Sequence, residues 1–261
     1  MITRLEERKG SVLFIDIGTN GEMAFTKDGR IAVASTAAGP AFEGMNISCG
    51  MRAGAGAVES FAIKGDGSCV YAVIGGRENS PGAAAGICGS GLLDIAGELV
   101  RTGVIDSRGR FVPPDKGNYS ARLKERMGQV EGKNAFFITG DVCLAQKDIR
   151  QIQLAKGAIR CGIEMLFSRF GVNAGDIDEI IIAGSFGYHL NENSLLNIGL
   201  LPPECGGKIS FAGNTSLSGA EAFLLNASFR RKMQEVTARV EKIELAQNAE
   251  FERTFIKYMG F

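Results

Sequence analysis

Four short stretches of the chain set acidic and hydroxyl side chains among glycines, the composition that phosphate and metal chemistry calls for. The first is Asp16-Ile17-Gly18-Thr19-Asn20-Gly21-Glu22, inserted between the apolar runs Val12 to Ile15 and Met23 to Phe25. Such runs read as strands, so the polar insert sits at a tight strand-to-strand turn. Its two glycines open backbone conformations closed to other residues, and a turn of this kind can aim several N–H groups at one point. That makes an anion-binding concavity, with Asp16 at the strand end placed to hold a metal directly or through water. An ordinary Asn-Gly hairpin turn is the alternative. The second stretch, Gly89-Ser90-Gly91, opens a helix from Leu92; its free N–H groups and the helix dipole favour an anion, unless Ser90 is simply an N-cap. The third, Gly184-Ser185-Phe186-Gly187, follows an apolar strand at 179 to 183, and its missing side chains either let a flat ring lie on the backbone or serve a tight turn. Gly213-Asn214-Thr215, after a strand at 209 to 212, carries the same two readings.

The elements that must position these turns alternate along the chain. Residues 11 to 35 read as strand, turn, strand, strand, with Asp28-Gly29 as the second turn. Residues 37 to 60, AAGPAFEGMNISCGMRAGAGAVES, are too rich in glycine for regular packing and too apolar for a solvated linker, which describes a loop lying over something. Ser60 to Ile74 alternate as a hairpin around Gly65-Asp66-Gly67, and Leu92, Ile95, Ala96 and Leu99 form one helical stripe closed by Gly103. The polar stretch 106 to 134 reads as an inter-lobe connection or a surface excursion. The longest helix starts at a capping-box-like Asp148 and Gln151 and runs to Gly171, with Ile152, Ala155, Ile159, Ile163, Leu166 and Phe170 at steps of three or four. A strand, a Gly-Asn turn and a helix capped by Ser218 follow, and then an amphipathic helix carrying Phe229, Met233, Val236, Val240 and Ile243. Strands alternating with helices predict α/β lobes with mostly parallel sheet, whose ligands bind at the carboxyl ends of strands.

Composition removes several function classes. The 261 residues are 45% hydrophobic, enough for a sizeable core, and 29 basic residues balance 29 acidic ones, so overall charge supplies no attraction for nucleic acid or an acidic membrane surface. No apolar run approaches the roughly 18 residues of a membrane span, and the charged start MITRLEERKG lacks a signal-peptide core; the expected location is cytoplasmic. A single histidine, His189, excludes sites that need two imidazoles. The six cysteines contain no C-x-x-C pair, so neither a zinc ribbon nor a ferredoxin-type cluster is expected, and Cys49 and Cys88 read as inert packing residues.

Taken in order, FIDIGTNGEMAF resembles the first phosphate motif of the superfamily of acetate and sugar kinases, actin and heat-shock chaperones, and IIIAGSFG resembles its adenosine motif. DIGTNGE, GPAFEGMNISCGMRAGAGAVE, GICGSGLLD, QKDIRQIQLAKGAI, IIIAGSFGYHL and FAGNTSLSGA together are similar to the ATPase domain of the reductive activators of corrinoid proteins, over roughly residues 11 to 225. The resemblance implies a two-lobed actin-like α/β fold with a nucleotide cleft: residues 1–10 as a tail or truncated linker, 11–135 as the lobe with the phosphate hairpin, and 136–261 as the lobe with the adenosine motif. It implies ATP and Mg2+ as cofactors, with Gly18, Thr19, Asn20 and Gly21 on phosphates, Asp16 on magnesium, Gly184, Ser185 and Gly187 on adenosine, and Gly213 and Asn214 nearby. Gly89, Ser90 and Gly91 are the candidate second phosphate motif, chosen on the helix-terminus argument above.

In that family an iron–sulfur domain supplies the electron, and ATP use is linked to reducing Co(II) corrinoid to Co(I) on a methyltransferase-system partner. The expected partners are therefore a corrinoid protein and a ferredoxin-like iron–sulfur domain outside this chain, with a homodimer also implied. Either the chain is the ATPase fragment of a longer protein, which its abrupt start favours, or it works beside a separate redox subunit. A slow ATPase switch is expected, with Glu22 or Glu43 as the water-activating carboxylate, unless both are surface or loop-stabilising groups. Lys156 and Arg150 either neutralise phosphate or occupy a solvated helix face, and His189 either meets nucleotide or starts a helix. Two rivals share these features: a small-molecule phosphotransferase and a non-hydrolysing interaction or dimerisation module.

Overall fold

Alternation of inward and outward side chains builds the first three strands, β1 (Val12–Ile17), β2 (Gly21–Lys27) and β3 (Arg30–Thr36), joined as an antiparallel meander. The computed structural model describes residues 2–76, 84–184 and 190–261. After the meander come β4 (Ala57–Ile63), β5 (Cys69–Val73), β6 (Gly86–Ile87) and α1 (Gly89–Arg101), then α2 (Ala121–Lys124), β7 (Met127–Val130), β8 (Lys133–Thr139) and β9 (Val142–Ala145). The long α3 (Gln146–Phe170) leads to β10 (Glu179–Ala183), α4 (Glu192–Asn197), β11 (Ile209–Gly213), α5 (Thr215–Leu225), α6 (Ala227–Thr237), β12 (Glu241–Lys242) and α7 (Phe251–Lys257).

Hydrogen bonding gathers these strands into a six-stranded sheet of order β11-β10-β1-β2-β3-β12 and two three-stranded sheets, β5-β4-β6 and β7-β8-β9. In the large sheet β1, β10 and β11 run parallel, so their carboxyl ends lie side by side. Strand alternation sends Leu13, Ile15, Ile17, Met23, Phe25, Ile180 and Ile182 into the main core under α3, while Val12, Phe14, Ala24 and Ile181 pack on the opposite face with Leu5. That main core continues through β4, α1 and β8, where Phe61 meets Phe136 edge to face at 6.4 Å. The boundary expected at 135/136 falls inside β8, and the six-stranded sheet draws strands from both sides of it. Local patterning carries no trace of the β1–β10 pairing, whose partners stand more than 160 residues apart in sequence.

Helix boundaries differ from expectation for identifiable reasons. In α3 the Asp148 carboxylate accepts the Ala145 N–H at 2.8 Å, so the helix begins at Gln146 with an acid in its first turn in place of a Ser or Thr cap. At α5 the cap is Asn214, whose Oδ1 accepts the Leu217 N–H at 2.9 Å; Ser218 lies inside the helix. The final amphipathic pattern is helical only to Thr237, and Ile243 continues from the β12 edge strand with its N–H on the Val33 carbonyl. The stretch 106 to 134 folds onto the body, with Phe111 and Leu123 buried.

Candidate functional site

The register of the large sheet puts Glu22, Asp16, Ala183 and Gly213 in one row across β2, β1, β10 and β11. Directly opposed residues of an antiparallel pair share a face, so the Asp16 and Glu22 carboxylates stand side by side, and both line an open groove of about 470 Å³ together with Phe14, Thr215 and Ser216. Gly184, immediately after β10, donates its N–H to the Gly213 carbonyl at 3.0 Å. Its φ is 122°, and a Cβ there would meet the Ile17 carbonyl at 2.5 Å and Asp16 Oδ1 at 3.3 Å. Glycine is thus required on two counts, conformation and the closeness of β1. Three of the predicted segments, 16–22, 184 and 213–214, meet at the carboxyl ends of three parallel strands, where open α/β sheets bind ligands.

Within the first turn the glycines divide in role. A Cβ on Gly21 would strike Ile159 Cγ1 at 2.8 Å, so this glycine admits α3 beneath the hairpin. Gly18, where a Cβ would make only ordinary contacts with the Asn20 carbonyl (3.7 Å) and Glu43 Oε1 (3.9 Å), donates its N–H to the Asn20 carbonyl at 2.9 Å, leaving Thr19 and Asn20 exposed at the tip. The glycine-rich loop does lie over something: Gly39 N–H bonds the Thr19 carbonyl at 2.8 Å, and Thr19 Oγ1 donates to Glu43 Oε1 at 2.5 Å. Farther along, Ser48 donates both its N–H (2.8 Å) and its hydroxyl (2.9 Å) to Asp148, which ties the loop to the start of α3. Glu43 therefore faces the turn, and Glu22 faces the groove beside Asp16.

Other predicted residues are placed differently. Gly89, Ser90 and Gly91 are buried at the start of α1. Ser90 donates to the Glu59 carbonyl at 2.7 Å and is not the cap, and a Cβ on Gly91 would lie 2.1 Å from the Val58 carbonyl oxygen. Lys156 is fully buried, donating to the Gly260 carbonyl with its ammonium 5.4 Å from the Phe261 ring; it fastens the C-terminal residues and is not on a solvated face. Burial, with Arg160 nearby, lowers it to about 8. Arg150 is exposed. Cys88 is buried against the Val58 carbonyl, and burial together with neighbouring Cys49 pushes the Cys143 thiol up to about 12, which argues against thiolate chemistry there. Ser185, Gly187 and His189 lie outside the described residues. Sequence reasoning missed Ser216, whose hydroxyl reaches Asp16 Oδ2 at 2.8 Å; the only signal was a pair of hydroxyl residues after the Gly-Asn turn.

The donor set suits a hard divalent cation. Asp16 and Glu22 bring two carboxylates to one face of the sheet beside the groove, oxygen donors of the kind such a cation takes. Among the described residues no group of three or more His, Cys, Asp or Glu side chains is placed to hold a metal ion.

Residues 10–261 match the family described as the C-terminal domain of RACo, the ASKHA domain. The chain belongs to that family. The RACo C-terminal domain is thus an actin-like ATPase fold, in agreement with the sequence reading, and membership implies a nucleotide site. Over 253 residues, 94% of this chain and 42% of the relative, it is 36% identical to the corrinoid activation enzyme RamQ of Eubacterium limosum. It is 28% identical over 233 residues, 83% of this chain and 39% of the relative, to the [Co(II) methylated amine-specific corrinoid protein] reductase of Methanosarcina barkeri. A solved structure, the reductive activator for corrinoid, iron-sulfur protein, superposes with a TM-score of 0.86 at 34% identity, covering 99% of this chain and 41% of that one. The chain therefore spans about two-fifths of the length of the RACo-type relatives it matches. Among the described residues no helix is long and apolar enough to cross a membrane.

Proposed function

We propose that this domain binds ATP with Mg2+ at the carboxyl ends of β1, β10 and β11 and, as the ATPase part of a corrinoid protein reductive activator, couples hydrolysis to reduction of Co(II) corrinoid to Co(I). The observation that carries the reading is the convergence of Asp16, Ala183 and Gly213 in one row of the sheet, with Gly184, the next residue after Ala183, pressed on the β1 end. Asp16, with Glu22 beside it, would hold magnesium, which when bound neutralises phosphate charge. Thr19 and Asn20 at the exposed tip, with Gly18, would meet phosphates. Gly184, with Ser185 and Gly187 beyond it, and Gly213-Asn214 would border the nucleoside.

Glu43 is the better placed of the two candidate bases, because Thr19 already orients its carboxylate at the turn. The electron for cobalt comes from an iron–sulfur domain outside this chain, and ATP-driven closure of the nucleotide cleft changes affinity for the corrinoid partner. A slow switch-like turnover follows from that role. Exposed Leu217, Leu224 and Leu225 on α5 favour a protein contact, with the corrinoid protein, the iron–sulfur domain or a second copy.

Calorimetric titration with ATP and Mg2+ tests the reading. Wild type should bind, and Asp16→Asn should weaken Mg2+-dependent binding by more than about 100-fold, beyond the usual loss for removing a metal's outer partner. Equal binding by both proteins would sink the assignment. A burst of ADP on adding a small acid or sugar would move the phosphotransferase reading ahead.

A further inference from the structure

Two hundred residues apart in sequence, Ser216 and Asp16 are joined by a 2.8 Å hydrogen bond from the serine hydroxyl to Asp16 Oδ2. The other carboxylate oxygen, Oδ1, lies on the side of Gly184, 3.3 Å from where a side chain at that position would begin. One oxygen is held by Ser216, and the other lies toward the strand end where β10 closes on β1. Ser216 comes from a fixed element: Asn214 caps α5 by accepting the Leu217 N–H, and Ser218 Oγ donates back to the Asn214 carbonyl at 3.3 Å, so the first turn of the helix cannot slide without breaking both.

We propose that Ser216 is a positioning residue that orients the Asp16 carboxylate for a divalent cation. The proposal rests on the ATP-site reading above. A carboxylate at the end of a strand turns about its last bond with little resistance, and a donor on one oxygen selects the rotamer in which the other points to the ligand. Ser216 is exposed, so its hydrogen bond competes with water and contributes little to folding. A hydroxyl with small structural value, aimed at the one acid that β1 presents beside Gly184, is accounted for by what it does to that acid.

The test is Mn2+ binding followed by electron paramagnetic resonance in the presence of a non-hydrolysable ATP analogue, for wild type, Ser216→Ala, Ser216→Thr and Asp16→Asn. Ser216→Ala should weaken Mn2+ binding about 10-fold, the lower end of the usual cost of losing a ligand's orienting partner. Its melting temperature and its affinity for the analogue without metal should match wild type, and Ser216→Thr, which restores the hydroxyl, should recover the Mn2+ affinity. If Asp16→Asn loses Mn2+ while Ser216→Ala binds it as wild type does, the positioning role is wrong and the ATP-site reading stands. A lowered melting temperature in Ser216→Ala with no rescue of Mn2+ binding by Ser216→Thr would make the bond a tether for α5 and also overturn it. Undiminished Mn2+ binding by Asp16→Asn would remove the ATP-site assignment and this inference together.

Discussion

At Gly89-Ser90-Gly91 the chain passes from β6 into α1 with both glycines buried, whereas at Gly184 and Gly213-Asn214 it leaves β10 and β11 beside the Asp16 carboxylate. Each segment is a glycine-bearing exit from a strand, and the letters alone give them equal claims on a phosphate. What separates them is the atom occupying the space a side chain would need. For Gly91 it is the Val58 carbonyl oxygen of β4, so the glycine lets a helix lie against a strand. For Gly184 it is the Ile17 carbonyl oxygen of β1, with Asp16 Oδ1 beyond it, so the glycine lets the end of β10 close on the strand end that carries the acid. The two glycines of the first turn differ as well: Gly21 admits α3, whereas a Cβ on Gly18 would make only ordinary contacts.

The sharpest way to break this comparison is through the acids on the open side. Glu43→Gln should cut ATP turnover about 100-fold or more while ATP affinity is retained, as expected for loss of a general base. Glu22→Gln should cost less turnover and more Mg2+ affinity, because Glu22 stands beside Asp16 in the groove. Single-turnover hydrolysis in the full-length protein separates the two, and a larger turnover loss in Glu22→Gln would exchange their roles. A smaller effect is expected from alanine at the two kinds of glycine. Gly91→Ala should destabilise folding by about 1–3 kcal/mol, the usual cost of overpacking, with nucleotide affinity intact below the melting transition. Gly184→Ala, strained by its φ of 122° and by the Ile17 carbonyl, should lower stability too and in addition weaken nucleotide and metal binding below the melting transition. A stable Gly91→Ala protein that no longer binds ATP would restore Gly89-Ser90-Gly91 as a phosphate loop.

The meander, the hairpin at 57–73, α1 and α3 were legible because each rests on local periodicity: period two in β1 to β5, steps of three or four from Ile152 to Leu166. The turn between β1 and β2 was legible because its polar residues and glycines are contiguous between two apolar runs. What stayed hidden depends on pairing across distance. The β1–β10 partnership brings Gly184 against Ile17 and Asp16, a closeness that no local spacing records. Ser216 was invisible for the same reason, since its partner lies at the other end of the chain. Lys156 misled because a cation on a helix suggests solvent, while the C-terminal carbonyl and the Phe261 ring that receive it cannot be inferred from helical spacing. Caps lie a few residues from the expected positions: Asp148 stands inside the first turn of α3, and Asn214 caps α5 in place of Ser218.

The buried side of the comparison has its own titrating group, and its effect on stability should be the smallest and most specific. Asp94 of α1 is 4% exposed, accepts the Ser194 hydroxyl at 2.6 Å and the Phe61 N–H at 3.3 Å, and so joins α1 to α4 and β4. Burial raises its carboxyl from 3.8 to about 6, against the two hydrogen bonds, and Glu98 one turn on pushes the same way. With the folded value above the unfolded one, the folded state binds the extra proton, so this contribution to stability is complete below about pH 4 and is lost as pH rises through 6. Asp94→Asn keeps the shape and removes the titration. Melting temperature measured from pH 4 to 7.5 should fall more steeply with pH in wild type than in the variant, whatever the other carboxylates add to both curves. Parallel curves would mean that Asp94 is ionised at no cost, and α1 would then be held against β4 by its close glycine contact and apolar stripe alone.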